Sequence, residues 1–228
     1  MTMSDKYFRS SPSFRIRHWR FEDRAPLLSR VSETGGESHP VMDLPDEYEI
    51  LEFSDGYDPQ KMTEFVESGG WGVGGYNEKR GNMYLAPHFE SRRNIHMGID
   101  IWAPAGEPVY AVLDGKVAYT AKNSRMGDYG GTIVLRHTVD GEEIFALYGH
   151  LSLKSLERTK AGDVVQAGDI IGWLGDESEN GNWPPHLHYQ LSRRDPGEAD
   201  MPGVVSEQER DKALELYPDP RIILGNIY

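Results

Sequence analysis

The pattern of apolar and polar residues changes at about residue 95. From there on, short runs of alternating apolar and polar side chains are separated by turns that contain glycine, which is typical of half-buried β-strands. Asp114-Gly115 and Asp140-Gly141 predict hairpin turns, because both central positions of a type I′ turn favour such residues. Strands are predicted at residues 108–112, 116–120, 131–137, 143–148, 163–165, 169–174 and 186–191.

Three segments within this region resemble one another. The sequence AGEPV at residues 105–109 is echoed by AGDVV at 161–165 and by AGDII at 167–171. Repeated hairpin units of this kind predict a mainly β fold, an antiparallel β-sandwich or barrel of the duplicated hybrid-motif type.

The two flanks have a different pattern. Residues 1–40 show no sustained period, and residues 41–90 contain a short strand-like piece at 47–53 and a helix pattern at 59–68. A C-terminal helix is predicted at 206–216, where Ser206 and Glu209 have the spacing of a capping box. The chain is therefore divided into an N-terminal extension, residues 1–90, that packs on a main domain, residues 91–228.

One candidate for metal chemistry is the sequence His-Met-Gly-Ile-Asp at residues 96–100. On a β-strand, His96 and Asp100 share one face, with Gly98 between them leaving space for an ion. An imidazole nitrogen and a carboxylate oxygen are both good zinc donors. The apolar residues of this segment would then point to the core: Met97, Ile99 and Ile101.

Two further histidine motifs follow in the chain. His186 and His188 share a face of one predicted strand, while Leu187, Tyr189 and Leu191 point the other way, and His150 ends an apolar strand. A lone histidine is more often a structural residue than a ligand. Three such motifs on strands with apolar opposite faces predict a metal site.

The remaining candidates receive structural interpretations. His137 is expected to be structural, and His18, His39 and His88 are given no role. Arg92 and Arg93 could bind a substrate carboxylate, although solvation at the surface is the favoured interpretation. The acidic residues at 176–179 are interpreted as a solvated loop.

The composition excludes some classes of partner and some kinds of metal site. The net charge of −13 argues against nucleic acid and against an anionic membrane, since both require a basic surface. Without cysteine, the chain has neither disulfides nor thiolate metal ligands. The charged N-terminus has no apolar signal-peptide core, and no run is long enough to span a bilayer, so a cytoplasmic location is expected.

These motifs resemble the lysostaphin-type zinc metallopeptidases, the family of LytM and glycyl-glycine endopeptidases. HMGIDIWAPAGEPVYAVLDGKV, YGHLS, AGDVVQAGDIIGWLG and PPHLHYQL are similar to successive signatures of that family, over residues 95–191. The resemblance implies that His96, Asp100 and His188 bind Zn²⁺ and that His150 and His186 are the catalytic pair. It also implies an antiparallel β domain with a narrow groove over the zinc.

The resemblance leads to the prediction of a zinc metalloendopeptidase that acts on a peptide or muropeptide-like substrate. The loop at residues 176–185 departs from the family by its acidic residues and Trp183. It resembles a subgroup sometimes fused to kinase-like and aminotransferase domains. Because the chain is so acidic, we expect a small soluble peptide and not intact cell wall as the substrate.

Three alternatives stay open on the sequence alone. The first is a non-catalytic binding or regulatory module that retains the fold. The second is a phosphoryl carrier of the sugar-phosphotransferase IIA type, in which two histidines handle phosphate. The third is a hydrolase for a non-peptide amide.

Overall fold

The computed structural model describes residues 15–20, 38–89 and 92–228. The strands are β1 Arg15–Arg20, β2 Glu47–Glu52, β3 Gly72–Gly74, β4 Ile95–His96, β5 Ile99–Trp102, β6 Pro108–Tyr110, β7 Gly115–Asn123, β8 Gly130–Val139, β9 Glu142–Leu151, β10 Val164–Val165, β11 Ile170–Trp173, β12 His186–Ser192 and β13 Val204–Val205. The helices are α1 Pro59–Glu67, α2 Leu153–Arg158, α3 Arg210–Leu216 and α4 Arg221–Leu224, with a 3₁₀ turn at Pro87–Phe89.

Nine of these strands form one sheet in the order β1-β2-β3-β5-β12-β9-β8-β7-β10. Its neighbouring strands are antiparallel except for the parallel pair β2 and β3. Two small sheets pair β6 with β11 and β4 with β13. One apolar cluster includes residues of the large sheet and of β6 and β11, so these two sheets share a core. The predicted mainly β, antiparallel fold class is confirmed.

The two predicted hairpin turns have different outcomes. Asp140 and Gly141 have φ of 54° and 81° and join β8 to β9, as predicted. The prediction for Asp114-Gly115 is wrong, because β6 pairs with β11 while β7 pairs with β8 and β10. A Cβ on Gly115 would lie 2.6 Å from the Nδ1 atom of His137, so this glycine allows a close approach of the chain.

The repeated Ala-Gly segments encode a turn followed by a short strand. Gly106, Gly162 and Gly168 all lie in the left-handed region, with φ of 87°, 99° and 88°, which glycine adopts without steric cost. Their strands are β6, β10 and β11. The first and third strands pair with each other, so the echo in the sequence corresponds to a structural pair.

The helices follow the prediction closely at one end of the chain and less closely at the other. Helix α1 begins after Asp58, whose side chain accepts a hydrogen bond from the backbone N–H of Lys61. The C-terminal helix α3 starts at Arg210, four residues later than predicted. Glu209 accepts hydrogen bonds from both the backbone and the hydroxyl of Ser206, which holds residues 206–209 in a turn before the helix.

Part of the N-terminal extension is built into the large sheet. Strand β3 lies between β2 and β5, and Trp102 of β5 packs in one cluster with Phe53, Tyr57 and Met62. The boundary at residue 90 stays a prediction, and residues 1–14 and 21–37 lie outside the described part. No helix among the described residues is long and apolar enough to cross a membrane.

Candidate metal and catalytic centre

His96, Asp100 and His188 lie close together in the lining of a cavity. Asp100 on β5 lies directly opposite His188 on β12, and His96 ends β4. The Nε2 atom of His96 is 3.0 Å from Nδ1 of His188. The Oδ1 atom of Asp100 is 3.2 Å from the first and 3.0 Å from the second. The structure therefore brings together the three residues that the sequence singled out as ligands.

The hydrogen bonds of these imidazoles fix which nitrogen faces the cluster. Nδ1 of His96 is 2.9 Å from the carbonyl of Gly75, and Nε2 of His188 is 3.0 Å from Oε1 of Gln190. Because those nitrogens donate to oxygen acceptors, the facing nitrogens carry lone pairs. Three lone-pair atoms about 3 Å apart suit a cation, since tetrahedral zinc with bonds of about 2.0–2.1 Å separates its ligands by roughly 3.3 Å.

The route by which His96 and Asp100 meet differs from the prediction of one continuous strand. The chain breaks at Met97 and Gly98, so that His96 lies in the small sheet of β4 and β13 and Asp100 in the large sheet. A Cβ on Gly98 would lie 2.6 Å from Cε1 of His188. Gly98 therefore makes room for the His188 ring and not for an ion.

The apolar residues that alternate with the site residues are buried, as predicted. Met97, Ile99, Leu187, Tyr189 and Leu191 are all 0% exposed. Four of them belong to the main apolar cluster, which supports β5 and β12, whereas Met97 packs in a separate cluster with Ile95 and Val205 of the small sheet. The ligand side chains are thereby attached to a close-packed part of the sheet.

His150 and His186 form a second pair beside the cluster, with ring centroids 4.2 Å apart. Their Nδ1 atoms each lie 2.8 Å from a backbone carbonyl, that of Asn180 and that of Pro184 respectively. Because Nδ1 donates, Nε2 of each ring is an acceptor. Nε2 of His186 lies 4.0 Å from Oδ1 of Asp100, at the edge of the ligand cluster.

Burial sets the charge of these histidines. It lowers the pKa of His96 and of His186 to about 4, and it lowers the pKa of His150 well below its ordinary value, with a further contribution from His186. Burial alone would raise the pKa of Asp100, but His96 and Arg80 hold that pKa well below its ordinary value. At neutral pH, His150 and His186 are therefore neutral and Asp100 is ionised, as bases and ligands require.

Sequence reasoning missed several residues that support the site. Arg80, which is fully buried, places Nη1 2.6 Å from Oδ2 of Asp100. Trp102 stacks on His186 with centroids 4.1 Å apart and an interplanar angle of 19°. Gln190 could have been found, because it lies two residues after His188 on the same face of the strand. Arg80 gave no signal, since it lies in an irregular segment far from the motifs.

The cavity has a volume of about 560 Å³ and a lining that is both aromatic and charged. The rings of Phe89 and Trp183 lie 5.2 and 6.0 Å from that of Tyr84, and these three form an aromatic part of the lining. Charged residues of the lining include Arg125 and Asp200. Trp183, by which the loop at residues 176–185 departs from the family, therefore lines the cavity.

Three of the structural interpretations can be compared with the structure. Glu177 accepts a hydrogen bond from the Thr63 hydroxyl, and Glu179 accepts one from the backbone of Leu153. Both glutamates are half-buried, while Asp176 and Ser178 are exposed, so the loop is solvated in part. Arg93 lines the cavity.

His137 is buried and donates from Nδ1 to the carbonyl of Asp114, as a structural histidine does. The side chains of His18 and His88 lie outside the description.

Comparisons with known proteins give a family match and several relatives. Residues 94–201 match the family model for Peptidase family M23. The DD-carboxypeptidase/endopeptidase Mpg of Neisseria meningitidis is 38% identical over 96 residues, which are 42% of this chain and 20% of that protein. Lysostaphin of Staphylococcus staphylolyticus is 33% identical over 114 residues, which are 50% of this chain and 22% of that protein.

A solved catalytic domain of the prophage-encoded M23 protein EnpA from Enterococcus faecalis, in mutant form, is 28% identical, with a TM-score of 0.42. The match covers 60% of this chain and 88% of that one. Residues 94–201 are a domain of Peptidase family M23, homologous to lysostaphin. The chain spans about a fifth of the length of the curated relatives it matches.

Proposed function

We propose that this protein is a zinc metalloendopeptidase, with His96, Asp100 and His188 as the metal ligands and His150 and His186 as the acid–base pair. The observation that carries the proposal is the convergence of three lone-pair atoms within 4.8 Å of one another, beside two imidazoles with free Nε2 atoms. Membership of residues 94–201 in the M23 family supports it.

The roles of the residues follow from their hydrogen bonds. When bound, zinc supplies a Lewis acid that polarises an amide carbonyl and acidifies a water molecule. Nε2 of one of the two rings, His150 or His186, would accept the proton of the attacking water, and the protonated ring would return that proton to the departing amine, while the other ring would orient the reacting groups. Their Nδ1–H groups, bonded to Asn180 and Pro184, keep both rings oriented during this transfer.

The geometry favours a hydrolase over a phosphoryl carrier. A carrier needs a histidine that reaches phosphate, and an ionised carboxylate beside it repels that anion. Here Asp100 lies 3.0 Å from His188 and 4.0 Å from His186. A non-catalytic module has no need of two neutral imidazoles outside the ligand set. One zinc per chain, measured by elemental analysis, together with the absence of a phosphohistidine would separate these functions.

We propose a small peptide or muropeptide-like amide as the substrate. The aromatic wall of Tyr84 and Trp183 offers flat apolar surface, and the net charge of −13 opposes adsorption to anionic wall polymers. A further relative, named peptidoglycan DD-endopeptidase ShyC, from Vibrio cholerae, is 33% identical over 96 residues and supports a peptide bond of the peptidoglycan type. The cytoplasmic location, the association with kinase-like or aminotransferase domains, and the boundary at residue 90 stay predictions.

The experiment is a cleavage assay on soluble muropeptides, short glycine peptides and intact peptidoglycan, followed by mass spectrometry. We expect cleavage of a soluble peptide that stops on chelation and returns with zinc. His137→Asn is the matched control, because His137 is a buried histidine outside the cavity lining and should leave cleavage intact. Zinc-loaded protein that cleaves no amide in the panel would contradict the proposal, and rapid clearing of intact wall would contradict the proposed substrate size.

A further inference from the structure

Arg80 connects the segment before residue 94 to the ligand cluster. Its side chain is fully buried, and Nη1 lies 2.6 Å from Oδ2 of Asp100. Oδ1 of the same carboxylate is the atom that faces His96 and His188. The two oxygens of Asp100 therefore have different partners: Oδ2 contacts the guanidinium of Arg80, and Oδ1 faces the two histidines.

The guanidinium is itself held in place. Its Nε atom lies 2.7 Å from Oε2 of Glu78, and Nη1 also lies 3.0 Å from the hydroxyl of Tyr84. The other oxygen of Glu78 accepts a hydrogen bond from the backbone of Phe53, whose ring lies 5.2 Å from the guanidinium carbon. Arg80 thus lies between two carboxylates in an enclosed position, where electrostatic interactions are little screened.

We propose that Arg80 is a positioning residue that holds Asp100 as a single-oxygen ligand, so that residues outside the family match complete the metal centre. This inference rests on the proposed function. A carboxylate without a partner on its second oxygen can rotate or bind through both oxygens. An arginine prevents this because its planar donors reach two carboxylates in a fixed geometry.

Lysine cannot replace this function fully. A single ammonium keeps the positive charge, but its compact shape does not reproduce the separate bonds that Nε and Nη1 make to Glu78 and Asp100. Arg80→Lys therefore keeps the positive charge but loses the arrangement of donors, whereas Arg80→Met loses both. Comparing the two variants separates the effect of charge from the effect of geometry.

The test uses the full chain with Arg80→Lys and Arg80→Met and measures zinc affinity by competition with a chromophoric chelator. We expect Arg80→Met to weaken zinc binding by roughly 10–100-fold, the usual effect of losing a partner of a metal ligand, and Arg80→Lys to fall between it and the wild type. The visible absorption of the cobalt-substituted protein should change in both variants, because it reports ligand geometry. Arg125→Met removes an exposed arginine from the same cavity and should change neither readout.

Thermal unfolding of the metal-free variants distinguishes positioning from mere packing. A purely structural role predicts a lower melting temperature with zinc affinity and cobalt spectrum unchanged in the folded protein, and that result would overturn the inference. If Arg80→Met does not fold, Glu78→Gln removes the anchoring charge, and it should also weaken zinc binding. If Glu78→Gln and Arg80→Lys both bind zinc as tightly as the wild type does, the inference about Arg80 is overturned while the proposed function stands. If the wild type itself binds no zinc, the proposed function is overturned as well.

Discussion

The two histidine pairs of the cavity are built from the same residue type, yet only one pair lies within about 3 Å of the carboxylate of Asp100. His96 and His188 present different nitrogens, Nε2 and Nδ1, to one carboxylate oxygen of Asp100. His150 and His186 both anchor Nδ1 on backbone carbonyls and leave Nε2 free. His96 is anchored in the same way as the bases, by Nδ1 on the carbonyl of Gly75, so that anchor does not make a histidine a ligand. What distinguishes the ligands here is the distance from the acceptor nitrogen to Oδ1 of Asp100, 3.2 and 3.0 Å for His96 and His188 against 4.0 Å for His186.

The most severe test of this comparison is His188→Ala. Removing one of three ligands should abolish stoichiometric zinc binding, because the remaining nitrogen and oxygen donors leave the site incomplete. Elemental analysis after dialysis gives the result. Full zinc occupancy in the variant would mean that His188 is not a ligand.

Replacement of the second pair should have a different effect. His150→Ala and His186→Ala should retain zinc and the fold while lowering turnover by roughly 10²–10⁴, the usual contribution of general acid–base catalysis. Turnover and metal content are measured on the same samples. Loss of zinc from either variant at neutral pH would show that a ligand and a base had been exchanged.

A milder change tests the fixed tautomer of His188. Gln190→Leu removes the Oε1 atom that lies 3.0 Å from Nε2 of His188, while the ligand itself is kept. Zinc binding should weaken by about 10-fold or somewhat more, because the imidazole loses the partner that orients it. Zinc affinity is measured by the same competition with a chromophoric chelator. The control is Gln166→Leu, because Gln166 is exposed. Unchanged affinity would mean that packing alone orients the ring.

The smallest expected effect concerns a histidine outside both pairs. Burial lowers the pKa of His137 in the folded protein, so the unfolded chain takes up the proton first as the pH falls below about 6.5. Stability that is present above that pH is lost below it. His137→Asn should therefore lose stability less steeply than wild type between pH 7 and pH 5 in denaturant titrations, while zinc content stays the same. Parallel curves would indicate that His137 does not titrate on unfolding.

The strands and the histidine motifs were predictable because they depend on local periodicity. In the segment from His186 to Leu191, alternation alone separates the residues facing the cavity from those facing the core. The break at Gly98 was not predictable, since the crowding comes from His188, which is distant in sequence. Strand β3, Gly-Val-Gly, has too little side-chain pattern to reveal that it inserts between β2 and β5. For Arg80 the difficulty was similar, because only the tertiary structure places it beside Asp100.

The pairing of His188 with Asp100 across β12 and β5 also concerns how the chain reaches its final structure. Strand β12 lies between β5 and β9, and side chains alternate along it with a period of two. A slip of one residue in this pairing would turn both histidines of the strand toward the core and Leu187 toward the cavity. The complete cluster exists in one register only, so metal capture during refolding would report the moment at which the central strands have aligned correctly.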